Sequence, residues 1–185
     1  MFASRSLVLG RNLKDIISIA SSGIASRRPI TELVKIVTAD PDFFSAESTE
    51  MAEFVVICAR LQKLGNRNAN IKELQERASE AIEHLDANKL ESASFSKFLW
   101  ACATIDVKPL LAEDFADTLI EKGLSNRDLV TIISALSKFI VHADDPLRQG
   151  FNKLTDRISY STSAELSNED LVALARAIAV MYSIK

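Results

Sequence analysis

The sequence predicts an all-α protein, an α-solenoid of about three and a half stacked antiparallel helix pairs. Three observations lead there: a shortage of chain breakers, apolar stripes at helical spacing, and an internal repeat. Five Gly and four Pro in 185 residues amount to about 5%, against roughly 12% in average proteins. A β-sandwich or barrel needs a turn every 8–12 residues or so, and this chain cannot supply them. The 48% hydrophobic and 25% charged composition is that of a packed globular protein, too apolar for disorder.

Residues 1–28 stand apart in composition. They hold Arg5, Arg11, Lys14, Arg27 and Arg28 against a single acid, Asp15, together with six serines. Leu9, Leu13, Ile16, Ile17 and Ala20 form an apolar face. An Arg-rich, Ser-rich, acid-poor amphipathic stretch predicts a mitochondrial targeting segment. The same spacing also suits a first helix retained in the fold. The polar residues Arg11, Asn12, Lys14 and Asp15 interrupt the apolar stretch, against a secretory signal. Residues 29–185 are then the helical-repeat domain. It opens with a short helix within Pro29–Phe44, closed by Asp40-Pro41-Asp42.

The repeat follows. LSNRDLVTIISALSKF at 124–139 matches LSNEDLVALARAIAVM at 166–181, an offset of 42. Ser125 and Ser167 are placed as N-caps, with Asp128 and Asp170 three residues on, where a carboxylate completes a capping box and meets the positive helix end. LESASFSKFLWACATI at 90–105 aligns at an offset of 34, and STEMAEFVVICARLQKL at 48–64 at a further 42. One small residue recurs in all four copies: Ala59, Ala101, Ala135 and Ala177. Periods of this length belong to helical repeats.

Each of the first three copies precedes a second amphipathic helix. Their stripes are Ile71, Leu74, Ala78, Ile82 and Leu85; then Leu111, Phe115 and Leu119; then Leu147, Phe151, Leu154 and Ile158. Spacing by three, four, seven or eight marks one buried face. Gly65 and Gly123 are expected at helix C-caps, and Pro109 and Pro146 just inside helix starts. The last copy has only its first helix, so its outer flank is expected to be covered by a partner or a neighbouring copy.

The capped start with Ala at mid-helix, and the variant Phe98-Leu99-Trp100-Ala101-Cys102-Ala103, resemble the "LWALA" helices of organellar repeat proteins. These are the octotricopeptide and heptatricopeptide repeats and the related repeats of FAST-kinase-like and RAP-domain proteins. The resemblance covers roughly residues 48–182. It implies stacked helices and a mitochondrial setting in RNA metabolism or the mitochondrial ribosome. This chain departs from the pattern in having no C-terminal RAP-like domain and in being short and acidic.

Motifs for chemistry are missing. There is no GxGxxG, phosphate loop, HExxH or GxSxG. His84 and His142 are expected at the surface, and the isolated Cys58 and Cys102 as buried thiols. Glu113-Asp114 and Asp144-Asp145 sit where helix dipoles explain them. Glu73, Glu76, Glu80 and Glu83 beside Lys72 and Arg77 read as a solvated face with ion pairs, and Trp100 as core. No catalytic residue, cofactor, metal or small-molecule substrate is expected, nor any stretch of 18 apolar residues that would span a bilayer.

Two functions are left. The first is a non-catalytic scaffold subunit of a large mitochondrial assembly, matrix or matrix-facing: the mitochondrial ribosome, a respiratory complex or ATP synthase. The alternative is an RNA-binding repeat protein, with Arg127, Lys138, Arg148, Lys153 and Arg157 as the contact residues. Against it, these five cations face four acids between 124 and 160, and residues 29–185 carry a net charge of −7. Phosphate binding draws its affinity from cations, so protein partners rank first.

Overall fold

The computed structural model describes residues 47–63, 69–158 and 165–184. Among them are seven α-helices and no strand. The expected targeting segment 1–28, the helix expected within Pro29–Phe44 and the C-cap expected at Gly65 lie outside the described residues. The chain divides into two compact units, Met1–Leu85 and Asp86–Lys185.

The first unit contains α1 (Ser48–Lys63) and α2 (Ala69–His84), which pack together. Nearly every residue of α1 from Met51 to Leu61 is buried, as its run of apolar side chains demands. Each large apolar side chain so buried contributes about 1.5–3 kcal/mol. Helix α2 is two-faced instead. Leu74, Ala78, Ala81 and Ile82 are buried, while its polar face carries the ion pairs Lys72–Glu76 (3.8 Å) and Arg77–Glu80 (2.8 Å). Gln75 donates to Gln62 at 2.9 Å and the Cys58 thiol to the Leu74 carbonyl at 3.7 Å, pinning the register of the pair.

The second unit starts with a 3₁₀ turn at Ala87–Lys89 and continues with α3 (Ser92–Ile105), α4 (Phe115–Lys122), α5 (Asn126–Phe139), α6 (Leu147–Asp156) and α7 (Asn168–Ser183). Helix α5 packs on α3 and on α7, while α6 packs on α4 and on α5. Phe95, Phe98, Leu99, Ile132, Ile133, Leu136 and Leu154 form its fully buried centre. Ala101, Ala135 and Ala177 are all buried, and so is Ala59 in the first unit. A methyl group at each point lets a neighbour approach closely.

The predicted caps form. Ser125 accepts the Asp128 amide and Ser167 the Asp170 amide, both at 3.1 Å. The carboxylates respond by accepting the serine hydroxyls at 2.5 and 2.6 Å. The other oxygen of Asp128 accepts the buried Ser96 hydroxyl at 2.5 Å, which ties α3 to the start of α5. Lys138 Nζ donates to the Ala103 carbonyl at 3.3 Å near the opposite end of α3. Contacts that advance together along both helices mean that α3 and α5 run in the same direction.

Two connections differ from the expected pattern. Pro109 does not open a helix: α4 begins at Phe115, and Leu111 precedes it. Lys108 instead reaches out to Asp145 at 2.7 Å, which ties this stretch to the connection between α5 and α6. Pro146 stands at the N-cap of α6, one place outside the helix, and Ile158 lies beyond its end. Gly123 does close α4, at φ +82° with its amide on the Ile120 carbonyl. Asp106 closes α3 in the left-handed region at φ 63°.

One close approach sets the α4–α6 spacing. A Cβ on Gly150 would stand 2.4 Å from the Phe115 ring. Phe115 is buried and stacks on Phe95 with ring centroids 6.4 Å apart, so the ring has little room to retreat. Asp117 pairs with Lys153 one turn further along. Helices α4 and α6 therefore also run in the same direction.

Candidate functional site

No cluster of three or more His, Cys, Asp or Glu able to hold a metal occurs among the described residues. Cys58 and Cys102 are buried, and desolvation pushes both thiols far above the ordinary range despite their backbone hydrogen bonds. They are protonated and weakly nucleophilic. His84 and His142 are exposed. No described helix is long and apolar enough to cross a membrane.

The five candidate RNA-contact cations do not assemble into one stripe. Arg127 is exposed in the first turn of α5, and Arg157 just past the end of α6. Lys138 sits a helix length from Arg127 and spends its ammonium on the Ala103 carbonyl. Lys153 is paired with Asp117. Arg148 is half-buried in the first turn of α6, its Nη1 enclosed and without a hydrogen-bond partner. Three of the five thus turn toward the protein's own surface features.

The unusual surface belongs to α7. Only Leu174, Ala177 and Met181 are buried on this 16-residue helix. Leu171, Val172, Val180 and Tyr182 are exposed, Tyr182 by 86%. The repeat makes this exposure meaningful. Leu171, Val172, Ala175 and Tyr182 are the 42-residue counterparts of Leu129, Val130, Ile133 and Ile140, the first three buried in α5 and Ile140 buried just past its end. Val130 is 2% exposed and Val172 50%. Of these, Val130 meets the next helix of the repeat: with Thr131 and Ser134 it borders Asp170 and Ala173 of α7. On α7 the same flank is open.

Beside it, a groove of about 490 Å³ runs between α6 and α7. Arg148, Phe151, Asn152 and Asp156 line one wall; Ile178, Met181 and Tyr182 line the other. The sequence pattern anticipated an open flank on the last copy but missed this groove. Its signal was Phe151 and Asn152, thirty-six positions after Phe115 and Ala116, the two side chains that meet Gly150. The charge of Arg148 is visible in the sequence, whereas the enclosure of its Nη1 is a tertiary property. No family model matches this chain, nor does any curated protein or solved structure.

Proposed function

We propose that this chain is an α-solenoid subunit without catalytic activity, which docks onto other proteins of a large mitochondrial assembly through the open flank of α7. The observation that carries the reading is the contrast between α5 and α7. Equivalent positions are buried where a following helix covers them and exposed where none does, and an apolar helix face in water is unfavourable by about 25 cal/mol per Å². A partner that covers Leu171, Val172 and Tyr182 recovers that free energy.

The mitochondrial setting rests on the cationic, serine-rich composition of residues 1–28. The acidic charge of the rest supports protein over nucleic acid, and so does the internal engagement of Lys138 and Lys153. Sedimentation of a mitochondrial lysate tests the reading. The chain is expected to co-migrate with a large particle after nuclease treatment and in moderate salt. Release by nuclease would transfer the chain to the RNA-binding class, whose affinity falls steeply with salt. Migration as a free monomer would end the docking reading.

A further inference from the structure

We infer that the α6–α7 groove receives an amphipathic helix of another protein, running parallel to α6, with a carboxylate in its first turn that pairs with Arg148. The inference deepens the docking function proposed above and rests on it.

The repeat supplies the geometry. Helix α6 lies on α4 and on α5, so the groove between α4 and α5 is filled by a helix. The α6–α7 groove is the same place one repeat further along. The register transfers too: Phe115 and Ala116 of α4 receive Gly150, and their counterparts Phe151 and Asn152 line the open groove. Because α4 and α6 run in one direction, a helix continuing the series runs the same way.

Charge specifies the occupant. The α4–α6 contact is fastened by Asp117 on Lys153, an acid on the earlier helix and a base on the later one. On α6 the order of charges in the groove is a base near the start, Arg148, and an acid at the end, Asp156. A parallel helix answers with an acid in its first turn and a base in its last, which is also the order its own dipole favours. Arg148 lines the groove and its enclosed Nη1 lacks a hydrogen-bond partner, so a carboxylate arriving in the groove gains a charge-assisted hydrogen bond once the guanidinium turns outward to meet it. Phe151, Ile178, Met181 and Tyr182 supply the apolar wall on which such a helix lies. Nucleic acid would satisfy Arg148, but would leave the exposed Tyr182 and the half-buried Ile178 without an apolar partner.

The test is photo-crosslinking in mitochondria with the full chain carrying Tyr182→p-benzoylphenylalanine, and Lys97→p-benzoylphenylalanine, exposed on α3, as control. The adduct at 182 is expected to map to a helical segment of another protein with an acid in its first turn. Arg148→Glu should lower the adduct yield roughly tenfold or more, and replacing that acid by Arg in the partner should restore it. If Arg148→Glu fails to fold, Arg148→Met, which keeps the apolar stem, should show the same loss. An adduct to a second copy or to RNA overturns the inference. So does a segment without the acid, or a yield indifferent to both Arg148 variants. No adduct with particle co-migration intact defeats the groove and leaves the docking function standing; loss of co-migration in the unsubstituted chain defeats both.

Discussion

Gly150 is a contact residue because it lacks a side chain. Alanine there should add about 1 kcal/mol of helix propensity, yet its methyl would enter the Phe115 ring, which Phe95 backs. Overpacking of a core costs about 1–3 kcal/mol, so the clash is expected to win. Gly150→Ala should lower stability by about 1–2 kcal/mol in denaturant melts. In a Phe115→Leu background, which vacates the far end of the ring, the same change should be neutral or stabilising. A stabilising Gly150→Ala in the native background would show that α4 and α6 are not in close contact. Arg148 and Gly150 share a lesson. Nothing within a few residues of either announces its role, because one faces a groove and the other a ring more than thirty positions away.

At the level of elements, the helix starts were the most legible feature. The first residues of α3, α5 and α7 are 92, 126 and 168, which repeat the offsets of 34 and 42 read from the sequence. Capping is local chemistry, so a serine followed by an acid encodes it within one turn. The two full copies are nevertheless unequal. Asp128 also holds Ser96 of the preceding helix, whereas the residue thirty-four positions after Ser96 is Val130, which offers Asp170 no hydroxyl. Asp128→Ala should therefore cost about 1 kcal/mol more than Asp170→Ala, the net worth of the extra hydrogen bond. The excess should vanish in a Ser96→Ala background; equal costs in the native background would contradict the tie. The start of α4 was the least legible. Pro109 and the apolar Leu111 suggested a helix there, but that stretch is held by the Lys108–Asp145 pair, a contact between residues far apart in sequence. Burial alone would raise the Asp145 carboxyl, but the hydrogen bond and charge of Lys108, the Leu147 amide and the charge of His142 together hold it below the usual range.

The whole molecule explains what the counts of residues could not. Composition and periodicity dictated helices, and their pairing within each unit follows from which faces are apolar. The repeat pattern points to an open flank on α7, and comparing solvent exposure between repeats shows which side chains form it. Val130→Ser should destabilise the folded chain by about 2 kcal/mol or more, since it removes buried methyl groups and buries a hydroxyl. Val172→Ser should leave the melting temperature of the isolated chain within the scatter of surface changes, yet weaken co-migration with the particle. Thermal melts and sedimentation on the same two variants separate folding from docking. Equal destabilisation would mean that Val172 is already covered.

Cys58 belongs to the first compact unit and Cys102 to the second. Neither thiol can meet an oxidant or an alkylating agent until its own surroundings open. The protein therefore carries one natural clock in each half. The rate at which each sulfur is captured records how often that half breathes, without any label having been added. A partner that clasps α7 should slow the second clock and leave the first running at its own pace.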